Sequence, residues 1–155
     1  FVSFYEKGMT IMELLVIMAV LGVIVLIVLP QFSKIKENQV LKNGVADILS
    51  SINKARGNTL SSLNSSEYGV RFEPDKVIIF KGKIFSALAG DNETIRITAP
   101  ASISNVTFGG ASGTAGDMYF NRLSGAPNTT GTIVISSPNF IKTITIFTTG
   151  VASAN

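Results

Sequence analysis

The chain opens on an unbroken apolar run. Leu14 to Leu29 reads LLVIMAVLGVIVLIVL, without one polar side chain. Extending it back to Met9 adds Thr10 and a single acid, Glu13, and gives 21 residues. That is close to the ~20 that carry a helix across a ~30 Å hydrocarbon layer. A core helix of a soluble protein would show a polar face at this length, and this one shows none. The pattern therefore predicts a membrane-inserted segment. It is longer than the ~7–15-residue apolar region of a secretory signal peptide. The run ends in Leu29-Pro30-Gln31-Phe32 rather than in a small-x-small cleavage site.

Beyond Pro30 the pattern turns amphipathic. Leu41, Val45, Ile48, Leu49, Ile52 and Leu63 recur largely at helical spacing, with Lys42, Asn43, Asp47, Asn53 and Lys54 between them. One long helix is predicted from about Met9 to about Leu63, roughly 80 Å at ~1.5 Å per residue. Pro30 would kink it rather than end it. Its second half would lay an apolar stripe on a sheet, and the polar stretch Ser61–Ser66 is the stop signal.

Short runs rich in β-branched residues come next. Strands are predicted near Tyr68–Glu73, Lys76–Lys81, Thr94–Thr98, Val106–Phe108, Met118–Phe120, Thr132–Ser136 and Ile141–Phe147. Glu73-Pro74-Asp75-Lys76 suits a hairpin turn between the first two. The last run looks apolar on both faces, as a central strand would be. Because strands follow the helix as a block, the class is α+β: a long N-terminal helix packed on an antiparallel β domain.

Composition narrows the chemistry. The 155 residues hold no Cys and no His. Thiolate chemistry, disulfides and Cys-ligated zinc are excluded, and the usual general base near neutral pH is missing. An enzyme is not expected, nor is a cofactor. The net charge of +3 is too small to imply nucleic acid without a patch. Lys76, Lys81 and Lys83 could form a basic hairpin face, joined by Arg96, Arg122 or Lys142. The alternative is an ordinary solvated surface whose lysines protect a sheet edge. Gly109–Gly116 is Gly-rich but lacks the Lys-Ser/Thr and following helix of a phosphate cradle, so a flexible loop is expected. Asp91, Asn92 and Glu93 could contribute oxygens to Ca²⁺, but six to eight ligands are needed, and a solvated turn is the simpler reading. Four Asn-x-Ser/Thr triplets are expected by chance in so Asn- and Thr-rich a chain.

Glu13 carries the most information. A carboxylate at membrane level costs at least a few kcal/mol if unpaired. It either sits solvated at the headgroup interface or awaits a positive partner. The run Gly8-Met9-Thr10-Ile11-Met12-Glu13-Leu14-Leu15 resembles the processing site of type IV prepilins and type II secretion pseudopilins. The resemblance implies a leader Phe1–Gly8 with Lys7 as its basic residue, cleavage after Gly8 by a prepilin peptidase, and N-methylation of Met9. It places Glu13 where the family carries its assembly acid. Gly22 and Pro30 fall where such proteins carry a mid-helix Gly and a Pro, and would form the soft segment of the helix. Met9 departs from the family's usual first residue, Phe. The fold implied is pilin-like. The domains are leader 1–8, transmembrane and assembly helix 9–30, amphipathic continuation 31–64 and β-rich domain 65–155.

A second similarity covers later residues. Ser51-Ile52-Asn53-Lys54-Ala55-Arg56, the loop Asn121–Gly125, the Ile-rich strands Thr132–Ile135 and Lys142–Phe147, and Gly150 are similar in order to the minor pseudopilin H / FimT-like group. Gly57-Asn58-Thr59 departs from that group's small acidic continuation. The implied function is that of a minor pilin or pseudopilin, a structural subunit assembled after leader cleavage into a type IV pilus-like or type II secretion pseudopilus filament, at or near its tip. The alternatives are a pilin-like DNA-binding subunit for DNA uptake, a major pilin, or a single-pass protein that never assembles. Implied partners are other pilin or pseudopilin subunits, the prepilin peptidase, an inner-membrane assembly platform and membrane lipid, with DNA only in the uptake alternative. The implied location is the bacterial inner membrane, single-pass with the C-terminal domain outside the cytoplasm, and then the filament. Cation counting alone would reverse that orientation, since Lys34, Lys36 and Lys42 lie beyond the span.

Overall fold

A computed structural model of the chain describes residues 8–155. The leader proposed on sequence lies, but for Gly8, outside the described residues. The described residues divide into two units, with the boundary between Lys36 and Glu37. A single helix, α1 (Ile11–Leu60), contributes to both. Pro30 lies inside it, so the proline does not end the helix. The predicted span of Met9–Leu63 is trimmed at both ends.

In the first unit the helix is uniformly apolar from Leu14 to Val28, and its side chains face outward. Ile11, Met12, Leu14, Leu15 and the residues on to Val28 are exposed on every side. Its richest window has a mean hydropathy of 3.1 with none of its surface buried. It is long and apolar enough to cross a membrane.

The second unit is built on the rest of α1. Leu41, Ile48, Ile52, Ala55 and Thr59 are buried, at the seven-, four- and three-residue intervals that put side chains on one helix face. Gly44 sits on the same face, where a Cβ would fall 2.7 Å from Ile135 Cδ1, so a side chain there would have to displace the end of Ile135. Leu63, predicted to extend the stripe, is instead 45% exposed in a 3-10 turn over Leu63–Ser65. The helix stops because Ser62 turns left-handed at φ 50°, a role more often given to Gly.

Nine strands come after the helix: β1 (Tyr68–Glu73), β2 (Lys76–Lys81), β3 (Glu93–Arg96), β4 (Ser102–Phe108), β5 (Ala111–Gly113), β6 (Gly116–Tyr119), β7 (Gly131–Ser137), β8 (Phe140–Ile146) and β9 (Ala152–Ala154). They form two antiparallel sheets, β3-β2-β1-β6 and β5-β4-β7-β8-β9. Val70, Phe72, Val77, Ile79 and Met118 from the first sheet meet Ile103, Val106, Ile133, Ile135, Ile144 and Ile146 from the second, and the helix stripe closes the core. Thr59 ties helix to sheet: its hydroxyl donates to Ala55 O (2.9 Å) and accepts from Tyr68 N (2.9 Å). That satisfies a buried polar group that would otherwise cost about 1–3 kcal/mol.

The outer face of the first sheet is covered locally. Phe85, from the loop after β2, packs edge-on against Phe80 with centroids 5.6 Å apart, and the Arg71 guanidinium lies 4.7 Å over its ring. This is why Phe80 and Ile78, on the outward side of β2, are 1% and 7% exposed. Two sequence expectations are corrected by the fold. The Gly-rich stretch is not a free loop: β5 and the start of β6 occupy half of it, leaving Gly109-Gly110 as a turn and Thr114-Ala115 as a link. And β8 is not apolar on both faces. It is interior in its sheet, but Ile144 and Ile146 face the core while Ile141 is 69% exposed.

Candidate functional site

Two places bring together residues singled out on sequence. The first is the N-terminal segment. Gly8 and Met9 are exposed in irregular backbone just ahead of the helix, and nothing lies within 4 Å of where a Gly8 Cβ would stand. Thr10 is the N-cap: its Oγ1 accepts from Glu13 N at 3.2 Å, and its carbonyl accepts the first helical bond, from Leu14 N at 3.1 Å. Thr10-Ile11-Met12-Glu13 thus has the spacing of a capping box. The negative side chain stands in the first turn, where the partial positive charge of the helix end favours it. The sequence reading missed Thr10, although a Thr three residues before an acid at the head of an apolar run was the signal. Glu13 is the one charged side chain between Met9 and Lys34. Gly22 leaves an open notch on the helix surface, with nothing within 4 Å of its Cβ position.

The second is a polar junction in the β domain, where Ala55-Arg56, the loop Asn121–Gly125 and Gly150 converge. Arg56 Nε donates to Gly125 O at 3.1 Å. Gly150 has φ +80°, and a Cβ on it would fall 2.2 Å from Gly125 O and 2.8 Å from Arg56 Nε. Gly125, at φ +62°, rests on Leu60 in the same manner. Arg122 Nη1 donates to Ser65 O at 3.0 Å, so two arginines fasten this loop to the end of the helix. Three segments far apart in sequence meet there, with Gly150 fixed by lack of space against the Gly125 carbonyl and Gly125 favoured by its positive φ.

The remaining candidates are not assembled into a site. Lys76 pairs with Glu73 (3.2 Å), and Lys83 pairs with Glu67 (3.8 Å) and lies over the Tyr119 ring. Of the three lysines only Lys81 has no acidic partner among the described residues. Arg71 is shared between Glu73 (2.9 Å) and Asp117 (3.3 Å). The hydrogen bond from Arg71, helped by Lys76 and opposed by burial, holds the Glu73 carboxyl below its ordinary value of 4.5. In the acid cluster Glu93 is taken by Lys54 at 2.6 Å, and Asn92 Nδ2 donates to Ser86 O at 2.7 Å. No group of three metal-ligating side chains occurs among the described residues. The clefts in the β domain are small, about 190 Å³ beside Val106, Phe108 and Asp117 and about 140 Å³ beside Asp47, Lys54 and Glu93. No known protein family, curated protein or solved structure matches the chain.

Proposed function

We propose that this chain is the precursor of a type IV pilin-like or pseudopilin subunit, a structural protein stored in a membrane by its N-terminal helix and then assembled through that helix into a filament. One observation carries the reading: a helix whose first part, to Val28, is exposed and apolar on all sides and bears a single carboxylate, Glu13, four residues after Met9 of a Gly-Met junction that lies in open, irregular backbone. Such a surface has no stable place in water. At ~25 cal/mol per Å² of apolar area, it demands lipid or other helices around it. Moving from one to the other changes the apolar contacts little, so packing and buried polar pairs decide the geometry.

The chemistry of the transfer rests on Glu13. Cleavage after Gly8 leaves an ammonium on Met9, four residues before the acid. In a water-poor filament core the carboxylate of one subunit meets the amine of a neighbour, giving register to contacts that could otherwise slide. Removing one member of a buried pair costs ~3–5 kcal/mol. The gathering of Arg56, Gly125 and Gly150 supports placement in the pseudopilin H / FimT-like group, since these are the positions on which that similarity rests. The β domain then faces outward and sets the partner. The lysine pairings with Glu73 and Glu67 argue against the DNA-binding alternative, because they leave little uncompensated charge to attract a phosphate backbone.

The test is a comparison of Glu13→Leu with the unaltered chain in cells that assemble the filament. Membrane insertion and leader cleavage stay intact, because an apolar residue removes a desolvation cost. The ratio of filament-borne to membrane-borne subunit falls. An unchanged ratio shows that Glu13 serves only to cap and solvate the helix end.

A further inference from the structure

The outward face of the second sheet carries no charge. Its five strands hold a single charged side chain, Lys142, and the alternation of β8 puts Lys142 on the side of Ile144 and Ile146, beyond the core's edge. The register aligns the outward residues across strands. Asn105, Val134 and Thr143 form one row, and Thr107, Thr132 and Thr145 another. Ser112 and Ser153 extend the second row at either edge. Ile141, 69% exposed, and Phe147, 48% exposed, lie at opposite ends of β8. The hydroxyls partly satisfy one another, as Thr107 Oγ1 and Ser112 Oγ do at 2.9 Å and Asn105 Nδ2 and Thr107 Oγ1 at 3.3 Å.

The contrast with the first sheet is informative. Its outward side has the ion ladder of Arg71, Glu73, Lys76 and Asp117, with Phe85 laid across it. A solvated sheet face normally carries such charges, and their depletion is what distinguishes the core of a protein interface from ordinary surface. Aligned β faces also pack well on one another, at ~10 Å between sheets. Three strands of seven residues and two of three, at ~3.4 Å per residue and ~4.8 Å apart, present a face of about 440 Å². Two such faces bury about 900 Å² in total, the size of a weak, transient protein–protein contact.

We infer that this face is a contact surface for a second copy of this chain, sheet against sheet. An isologous pairing brings hydroxyl rows and the aliphatic Val134 together without burying an unpaired charge. The area makes the contact weak in dilute solution and effective where the chains are concentrated. This inference requires neither leader cleavage nor a filament, so it can fail while the assembly reading stands.

The absence of cysteine makes the test direct. The full chain is reconstituted into lipid vesicles with one introduced thiol, either Val134→Cys at the centre of the face or Thr94→Cys on the exposed edge strand of the first sheet. Disulfide dimers are then quantified under mild oxidation. The Val134 position gives the larger yield. Adding Thr145→Lys lowers that yield about ten-fold or more, because apposed like charges cost more than the ~1.4 kcal/mol that corresponds to ten-fold. Thr145→Ser, which keeps the hydroxyl, leaves it in place and shows that the sheet is intact. Equal yields at the two positions, as pairing through the N-terminal helices alone would give, overturn the inference. So does a Val134 yield that Thr145→Lys does not change.

Discussion

Replacing Gly150 by alanine tests the polar junction that joins helix, loop and C-terminal turn. Two costs are legible in the structure. At φ +80° an L side chain is strained by ~1–2 kcal/mol. In addition the new Cβ would stand 2.2 Å from Gly125 O and 2.8 Å from Arg56 Nε, a separation no real contact sustains. The loop must move off Arg56, and the 3.1 Å bond from its guanidinium to Gly125 O is lost, worth about 1.5 kcal/mol for a charged donor. Together these give about 3 kcal/mol, or a melting temperature about 10 °C lower for a domain of this size. Gly110→Ala is the control, because Gly110 has φ +88° with nothing within 4 Å of its Cβ position. It should cost the strain alone, about 1–2 kcal/mol. Thermal unfolding of the full chain in detergent, followed by circular dichroism, measures both. Arg56→Ala should add little on top of Gly150→Ala, since the same contact is already gone. If Gly150→Ala costs no more than Gly110→Ala, the junction is not the tight contact described.

Other consequences can be measured on the same protein. Ile52→Ala empties a fully buried position on the helix stripe and should cost ~2–5 kcal/mol, whereas Leu63→Ala, outside the stripe, should fall within about 0.5 kcal/mol of the unaltered chain; urea titrations decide it. Glu73, held below its ordinary value of 4.5 chiefly by Arg71, stabilises the fold above that pH and loses this contribution as the pH falls through its folded value. Stability should therefore drop more steeply below the ordinary value in the unaltered chain than in Glu73→Gln, and parallel curves would contradict the ion ladder.

The sequence exposed some of this architecture and concealed the rest for identifiable reasons. β1 and β2 appear at their predicted bounds because Glu73-Pro74-Asp75-Lys76 joins two runs whose period and turn chemistry agree. The helix was legible from its apolar run and stripe, and the polar stretch Ser61–Ser66 marked its stop to within three residues of Leu60; the left-handed Ser62 that fixes the last turn carries no signal that Gly would have given. Thr59 was passed over because a buried Thr makes sense only once Tyr68 N is found beside it. The first half of β4 was missed because a register shift between Ile103 and Asn105 breaks the alternation that marks a strand. β5 and β9 are three residues each of Ala, Ser and Gly, with no β-forming side chain to announce them. Nothing local separates the strands into two sheets. Of the candidate positions, Gly8 to Glu13 could be read outright because they adjoin in sequence. The meeting of Arg56, Gly125 and Gly150 could be seen only in the fold.

If this chain is a processed assembly subunit, exposure to a prepilin peptidase changes its mass in a defined way. The product should begin at Met9, lack Phe1–Gly8 and carry one methyl group on the new amine where the methylating activity is present. Gly8→Val should remain uncut, and because the Gly8 Cβ position is open, that loss would report on the peptidase rather than on folding. A chain that keeps Phe1–Gly8, or one cut instead after Pro30, is not a processed subunit of this kind.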